Sequence, residues 1–255
     1  MKKLFLKGWR PFVVLLLLFI VWEIIVRVLD TPDWLLPAPT KIFYEGFVGW
    51  SNFYPDLLST IEISLFGFAV GAVIGLAVAV SLHLVSFLRN ALYPLLILSQ
   101  NVPIIVLAPL LVIWFGFGLL PKIIVITLVC FFPITVAALD GFRQTPAELK
   151  HYMNMAGSTK TQLFWKLEWP FSLPSIFSGL KISATYSVMG AVISEWLGSK
   201  QGIGVYMTLA SSSFRTDRVF VAIFAIMFLS LLFFVLIVLA EQKLIHWQPK
   251  GEDRN

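Results

Sequence analysis

The chain has 255 residues, 58% of them hydrophobic and 13% charged, with a formal net charge of +5 and a mean hydropathy of +0.87. Soluble domains carry about a quarter charged residues, so this composition excludes a soluble enzyme and defines an integral membrane protein. The positive balance reads as basic loops between apolar blocks rather than a nucleic-acid surface, and the lone cysteine, Cys130, leaves no internal disulfide to form.

About 20 apolar residues are needed to cross the hydrocarbon, and six segments qualify: 11–29, 59–82, 91–115, 121–140, 174–197 and 218–240. The first follows the basic stretch MKKLFLKGWRP, which resembles the start of a signal peptide. Its apolar run from Phe12 to Val28 is long for one, and no small-x-small cleavage site follows, so it reads as an uncleaved span. With the N-terminus inside, the cytoplasmic side receives Lys2, Lys3, Lys7, Arg10, Arg89, Arg143, Lys150, Lys160, Lys166, Lys181, Lys243, Lys250 and Arg254. The outer side receives Arg27, Lys41, Lys122, Lys200, Arg215 and Arg218. That is 13 against 6, the asymmetry expected when both termini are cytoplasmic. Residues 1–58 are read as the first span with its outer loop, 59–240 as a five-helix core, and 241–255 as a cytoplasmic tail.

Pro32, Pro37 and Pro39 break the first outer loop, and the KIFYEGFVGW that follows suits an interfacial segment. In the second span Gly67, Gly71 and Gly75 lie four apart on one face, a spacing that admits close approach of another backbone. Either a partner subunit or a helix of the same chain satisfies it, and the second is favoured. The third span carries Gln100, Asn101, Pro103 and Pro109 at membrane depth; such groups need protein or water to face.

Between the fourth and fifth spans stands a charged stretch, PAELKHYMNMAGSTKTQLFWKLEWPFSLPS. Thr145-Pro146-Ala147-Glu148 reads as a capping box, with Thr145 as the cap, Pro146 in the first helical position and Glu148 reaching back. Leu149, Tyr152, Met153 and Ala156 then form an apolar stripe, and Gly157 suits the left-handed residue that ends a helix. Thr159-Lys160-Thr161-Gln162 opens a second helix carrying Leu163, Phe164 and Leu167, and Pro170 and Pro174 are expected to turn the chain into the fifth span. An amphipathic hairpin of this kind lies on lipid or docks into a soluble partner. The mixed-sign polar face, with His151 and Asn154, favours docking.

These residues resemble the EAA loop of ABC importer permeases, with Gly157 and Pro170 at the loop's glycine and proline and Gln162-Leu163-Phe164 matching the segment between. The triplet itself departs from the pattern: it is His151-Tyr152-Met153, so the resemblance does not carry the family's glutamate contact to the ATPase over to this position, and Glu148, one turn earlier, is more simply a cap than its substitute. LLPAPTKIF, PLLVIWFGFGLLPKI, FFPIT and ISEWLG extend the resemblance to the permeases that import nitrate, sulfonates and taurine. SQNVPIIVLAPL, ATYSVMGAVISEWLG, GIGVYM and SFRTDR are similar to permeases for pyrimidine precursors of thiamine.

The resemblance implies an all-α, six-span type I importer fold of the MetI-like kind in a bacterial cell membrane. It implies a second permease subunit (a homodimer by expectation), two cytoplasmic ATPases holding ATP and Mg, and an outer substrate-binding protein. Glu148, His151, Tyr152, Met153, Ala156, Gly157, Leu163, Phe164, Leu167 and Pro170 would then form a rigid lever moved by the ATPase.

The chain itself carries no phosphate-binding G-x-x-x-x-G-K-[ST] loop and no metal-ligand spacing, and the S-x-x-K at Ser178–Lys181 lacks its companion motifs. It is expected to bind no cofactor and to catalyse nothing. Polar groups at membrane depth are the pathway candidates: Gln100, Asn101, Ser183, Thr185, Tyr186, Ser187, and Glu195 near the outer end of the fifth span. Glu195 could line the outer gate or pair with Arg215 or Arg218, and the pairing is slightly favoured. The only basic residue inside the fifth span, Lys181, sits near its cytoplasmic end, which favours a neutral cargo over a sulfonate.

Overall fold

The computed structural model describes residues 2–245, with side chains from Trp9 onward. The basic residues at positions 2, 3 and 7 and the tail 246–255 lie outside the described side chains. The described chain forms eleven α-helices: α1 (Lys2–Val28), α2 (Pro39–Val48), α3 (Trp50–Leu84), α4 (Ser86–Ser99), α5 (Ile104–Phe115), α6 (Leu119–Arg143), α7 (Ala147–Met155), α8 (Lys160–Leu163), α9 (Trp169–Glu195), α10 (Ile203–Ser212) and α11 (Thr216–Leu244). One π-helical turn, Phe164–Glu168, joins α8 to α9.

The centre of the bundle is α6, packed between α3 and α9. Small residues permit that approach. A Cβ on Gly71 of α3 would sit 2.7 Å from Cys130 Cβ, and one on Gly67 2.5 Å from Ile126. On the α9 side, a Cβ on Gly179 would meet the Pro133 carbonyl at 2.8 Å. The glycine stripe of α3 is therefore used inside this chain, where backbone proximity replaces the hydrophobic drive that lipid cannot supply. Two hydroxyls reinforce it. Thr135 donates to Gly75 O at 3.0 Å and Ser183 to Cys130 O at 2.7 Å.

Five continuous helical segments are long and apolar enough to cross a membrane: Trp9–Val28, Trp50–Leu84, Leu119–Arg143, Lys160–Glu195 and Thr216–Leu244. The sixth expected span, 91–115, is two helices, α4 and α5, bent by 100° at residues 100–103. Pro103 disfavours helical geometry at Val102 and is itself extended (ψ 119°), which separates α4 from the restart at α5. The fifth span also departs from expectation. Pro170 and Pro174 do not turn the chain: the helix runs through both. In the π turn the Trp169 N–H bonds Phe164 O, five residues back. That wider turn makes room for a proline ring and for the hydrogen bond it cannot donate.

Peripheral elements follow local logic. Helix α1 leans on α2 and α11 through Phe19 and Trp22 against Phe43, Phe220 and Phe224. Helix α2, with Pro39 in its first turn, is the aromatic segment read as interfacial, and the Thr40 N–H at its start donates to Glu23 of α1 at 3.0 Å. Helix α3 begins nine residues before the apolar run because its first turns, with Asp56 and Thr60, hold the start of α10 rather than face lipid.

Candidate functional site

The hairpin α7–α8 stands at one end of the bundle. Its sequence explains its stiffness. Ala156 caps α7, and Gly157 takes the left-handed conformation (φ +77°) with its N–H on Asn154 O at 3.0 Å, while the Ser158 N–H reaches Met153 O at 3.1 Å. That pair of bonds is the Schellman closure. The second helix opens with both bonds of a capping box: Gln162 N to Thr159 Oγ1 at 3.2 Å and Thr159 N to Gln162 Oε1 at 2.9 Å.

The first box does not form. Pro146, not Thr145, precedes the helix, with ψ 135°, and no side chain caps α7. A proline at 146 disfavours helical geometry at Thr145; the Thr145 hydroxyl is buried without a partner, and Glu148 is exposed.

The two halves of the hairpin face different surroundings. On α7 nothing is buried: Glu148, His151 and Ala156 are exposed, Tyr152 is 67% exposed and Met153 half-buried. Its apolar stripe is thus not spent on its own bundle. Beyond Gly157, Phe164 is buried against Phe142 and Trp169, and Leu163, Leu167 and Pro170 are half-buried. Those four root the hairpin in the bundle, and the α7 residues are presented outward.

One buried group at this root was not singled out from sequence. Glu168, 6% exposed, holds Lys150 Nζ of α7 at 2.7 Å on Oε1 and His83 Nε2 of α3 at 2.7 Å on Oε2. A signal existed: Glu168 follows the buried Phe164 by four residues and so shares its inward face.

At the opposite end, Glu195 closes a second network. It is 2% exposed and accepts from Thr60 Oγ1 of α3 at 2.7 Å and from Gly204 N at 2.8 Å; Thr60 Oγ1 accepts from Ile203 N, and Asp56 from Gly202 N, both at 2.8 Å. These carboxylates occupy the free N–H groups at the start of α10. Gly202 is required there: at φ +129° its missing Cβ would fall 2.2 Å from the Glu195 carboxyl carbon. The expected pairing of Glu195 with Arg215 or Arg218 is corrected. Both arginines bind Glu45 of α2, at 2.8 and 2.9 Å, and Arg215 also binds Asp217 at 3.0 Å. That Asp217 bond holds the Arg215 guanidinium above its ordinary pKa.

The remaining pathway candidates divide by exposure. Ser183 and Ser187 are fully buried and bond to backbone carbonyls, Cys130 O and Ala184 O, so in this conformation they are packing groups. Tyr186 is 45% exposed, on an open stripe of α9 with Ile182 and Met189, and Thr185 beside it is half-buried. Lys181 is neutralised by Glu241 of α11 at 3.0 Å. Gln100 and Asn101 are exposed at the α4–α5 bend; the Asn101 amide bonds Ile97 O at 3.2 Å, and neither residue is brought to the α9 stripe by a hydrogen bond. Near Glu195, an open hollow of about 350 Å³ is lined by Ser59, Lys122, Ser199, Lys200 and Gln201, among others.

Solved importer structures share this all-helical fold. The inward-facing MetNI methionine ABC transporter matches at a TM-score of 0.60 and 18% identity, over 74% of this chain and 93% of that one. Residues 71–246 match the family described as binding-protein-dependent transport system inner membrane component, and the chain belongs to it. It is an ABC importer permease of the MetI-like type. It is 36% identical over 242 residues to the formylaminopyrimidine transport permease protein ThiX of Halalkalibacterium halodurans, covering 94% of this chain and 96% of that protein. The riboflavin transport system permease protein RibX of Chloroflexus aurantiacus is 31% identical over 92% of this chain and 89% of its own.

Proposed function

We propose that this chain forms, with a second permease subunit, the pathway of an ATP-driven importer whose cargo is a neutral pyrimidine of the formylaminopyrimidine kind, a thiamine precursor. In this reading both termini and the hairpin are cytoplasmic, α7 seats in a cleft of the ATPase, and the α10 end faces the outer binding protein. ATP and Mg belong to the ATPase. Closure of the ATPase pair carries α7, and the spans rock so that cargo delivered from outside enters between the subunits. The observation that carries the cargo assignment is end-to-end likeness to the formylaminopyrimidine permease at 36% identity. The α9 stripe supports it: Tyr186 offers a ring face for stacking, and the one cation of the helix is consumed by Glu241.

A second reading, an aliphatic sulfonate, taurine or nitrate cargo, draws on Lys122 and Lys200 in the hollow beside Glu195. Calorimetry on the cognate binding protein with formylaminopyrimidine, taurine and nitrate separates the two. Tight binding of the pyrimidine alone, followed by its ATP-dependent uptake into proteoliposomes, is the expected result. Binding of an anion instead would transfer the assignment to the second reading, and uptake without an ATPase would end both.

A further inference from the structure

Helix α7 has one polar tie to the membrane-spanning helices among the described residues, and it ends on the buried carboxylate of Glu168. The same carboxylate spends its other oxygen on His83, the penultimate residue of α3. His83 is itself held in place, its ring centroid 4.7 Å from Phe142 at the end of α6 and 5.9 Å from Phe164. Helix α3, remote in sequence, therefore meets α7 and the foot of α9 on one side chain, beside Phe142 of α6.

Without this junction α7 would be connected only through its chain ends: Thr145–Pro146 on one side and Gly157–Thr159 on the other. The Gly157 closure and the Thr159 box stiffen the second of these ends, but neither end ties the body of α7 to α3. A third attachment at Lys150, in the first half of the helix, fixes its orientation against α9 and α3 together. The junction is shielded from solvent, with the Glu168 side chain 8% exposed and His83 15%, so salt screens it far less than an open pair. It also coincides with the π turn, a local widening that often marks working positions in helices.

We infer that Glu168 is a positioning residue of the transport cycle: it receives the displacement of α7 through Lys150 and passes it to α3 through His83 while belonging to the helix that becomes α9. This rests on the importer reading above, because the displacement has to be supplied by an ATPase.

The test uses the chain reconstituted in proteoliposomes with its cognate ATPase and binding protein. A reporter cysteine at Met189, on the open α9 stripe, is labelled from outside with a membrane-impermeant maleimide, before and after trapping ADP with vanadate. Cys130 is fully buried and stays silent. Trapping should raise the labelling rate severalfold in the reporter protein. Adding Lys150→Met, or Glu168→Gln, should bring that ratio to about one while the amount of trapped nucleotide stays within twofold. Lys150→Arg and His83→Gln, which keep a donor at each oxygen, should retain the rise. A rise in Lys150→Met and Glu168→Gln equal to that of the parent overturns the inference and leaves the importer reading intact. Loss of ATPase association or trapping in those variants also overturns it, because the junction would then serve assembly alone. Failure of the parent chain to bind or trap at all removes the importer reading, and this inference with it.

Discussion

Gly157 offers a clean test of the hairpin because its surroundings are empty. No atom lies within 4 Å of the Cβ that a substitution would add, so a bulkier residue meets no steric obstacle and only the backbone conformation is at stake. At φ +77° an alanine incurs about 1 kcal/mol, close to a fivefold change in the ratio of closed to open hairpin. Asparagine tolerates left-handed geometry and should cost little. Valine, branched at Cβ, should cost more than alanine. Proline, fixed near φ −65°, cannot adopt the conformation and also removes the N–H that bonds Asn154 O at 3.0 Å. If only the closed hairpin engages the ATPase, the apparent dissociation constant rises in inverse proportion to its population. Titration of the ATPase against the chain in nanodiscs should then give the order Gly, Asn, Ala, Val, Pro, with Ala weaker by up to about fivefold and Pro by at least tenfold. Binding of the Pro variant at parental strength would refute the reasoning. So would an Asn variant as weak as Pro, because side-chain bulk at the interface, not backbone geometry, would then be the cause.

Other regions give independent expectations. Glu195→Gln presents an amide donor where Thr60 and Gly204 already donate, and should lower stability by about 1–3 kcal/mol in detergent melts; Glu62→Gln on the exposed surface should change it by less than about 0.5 kcal/mol. Gly71→Val drives new methyls into Cys130 and the Thr127 carbonyl, and should cost about 1–3 kcal/mol by the same melt, with a lower yield of folded protein. Glu45→Ala leaves Arg215 and Arg218 without their shared acceptor, so amide exchange in α2 should speed up, and because this cluster is partly open to solvent the difference from the parent should shrink as salt rises.

How much was legible in the chain differs by region. The spans at α1, α6 and α11, the glycine face of α3, the Gly157 stop and the Thr159 box could all be read because each is written in one continuous stretch of chain. The features that escaped depend on partners distant in sequence or on one backbone angle. Hydropathy sees 91–115 as one greasy run, and only Pro103 betrays the 100° bend. Pro170 looked like a turn because the π turn that absorbs it leaves no composition signal. Thr145 fitted a capping pattern in letters but not in geometry. Glu168 lay unremarked in the charged stretch and Glu195 suited the pathway or a pairing with arginine; each is a buried acceptor with one donor distant in sequence, His83 at 85 residues and Thr60 at 135.

The stretch from Lys160 to Glu195 is one uninterrupted column of 36 residues, about 54 Å from end to end at 1.5 Å per residue. Its foot is the hairpin's second helix and its head is the carboxylate that anchors α10. A column this long magnifies angle into distance: a tilt of about 10° about its foot sweeps its head sideways by about 9 Å on that length. No intermediate joint has to be invented to carry an event at one membrane surface to the other. What happens at Lys160 is geometrically already a statement about Glu195, softened only by whatever twist the wide turn at Phe164–Glu168 absorbs.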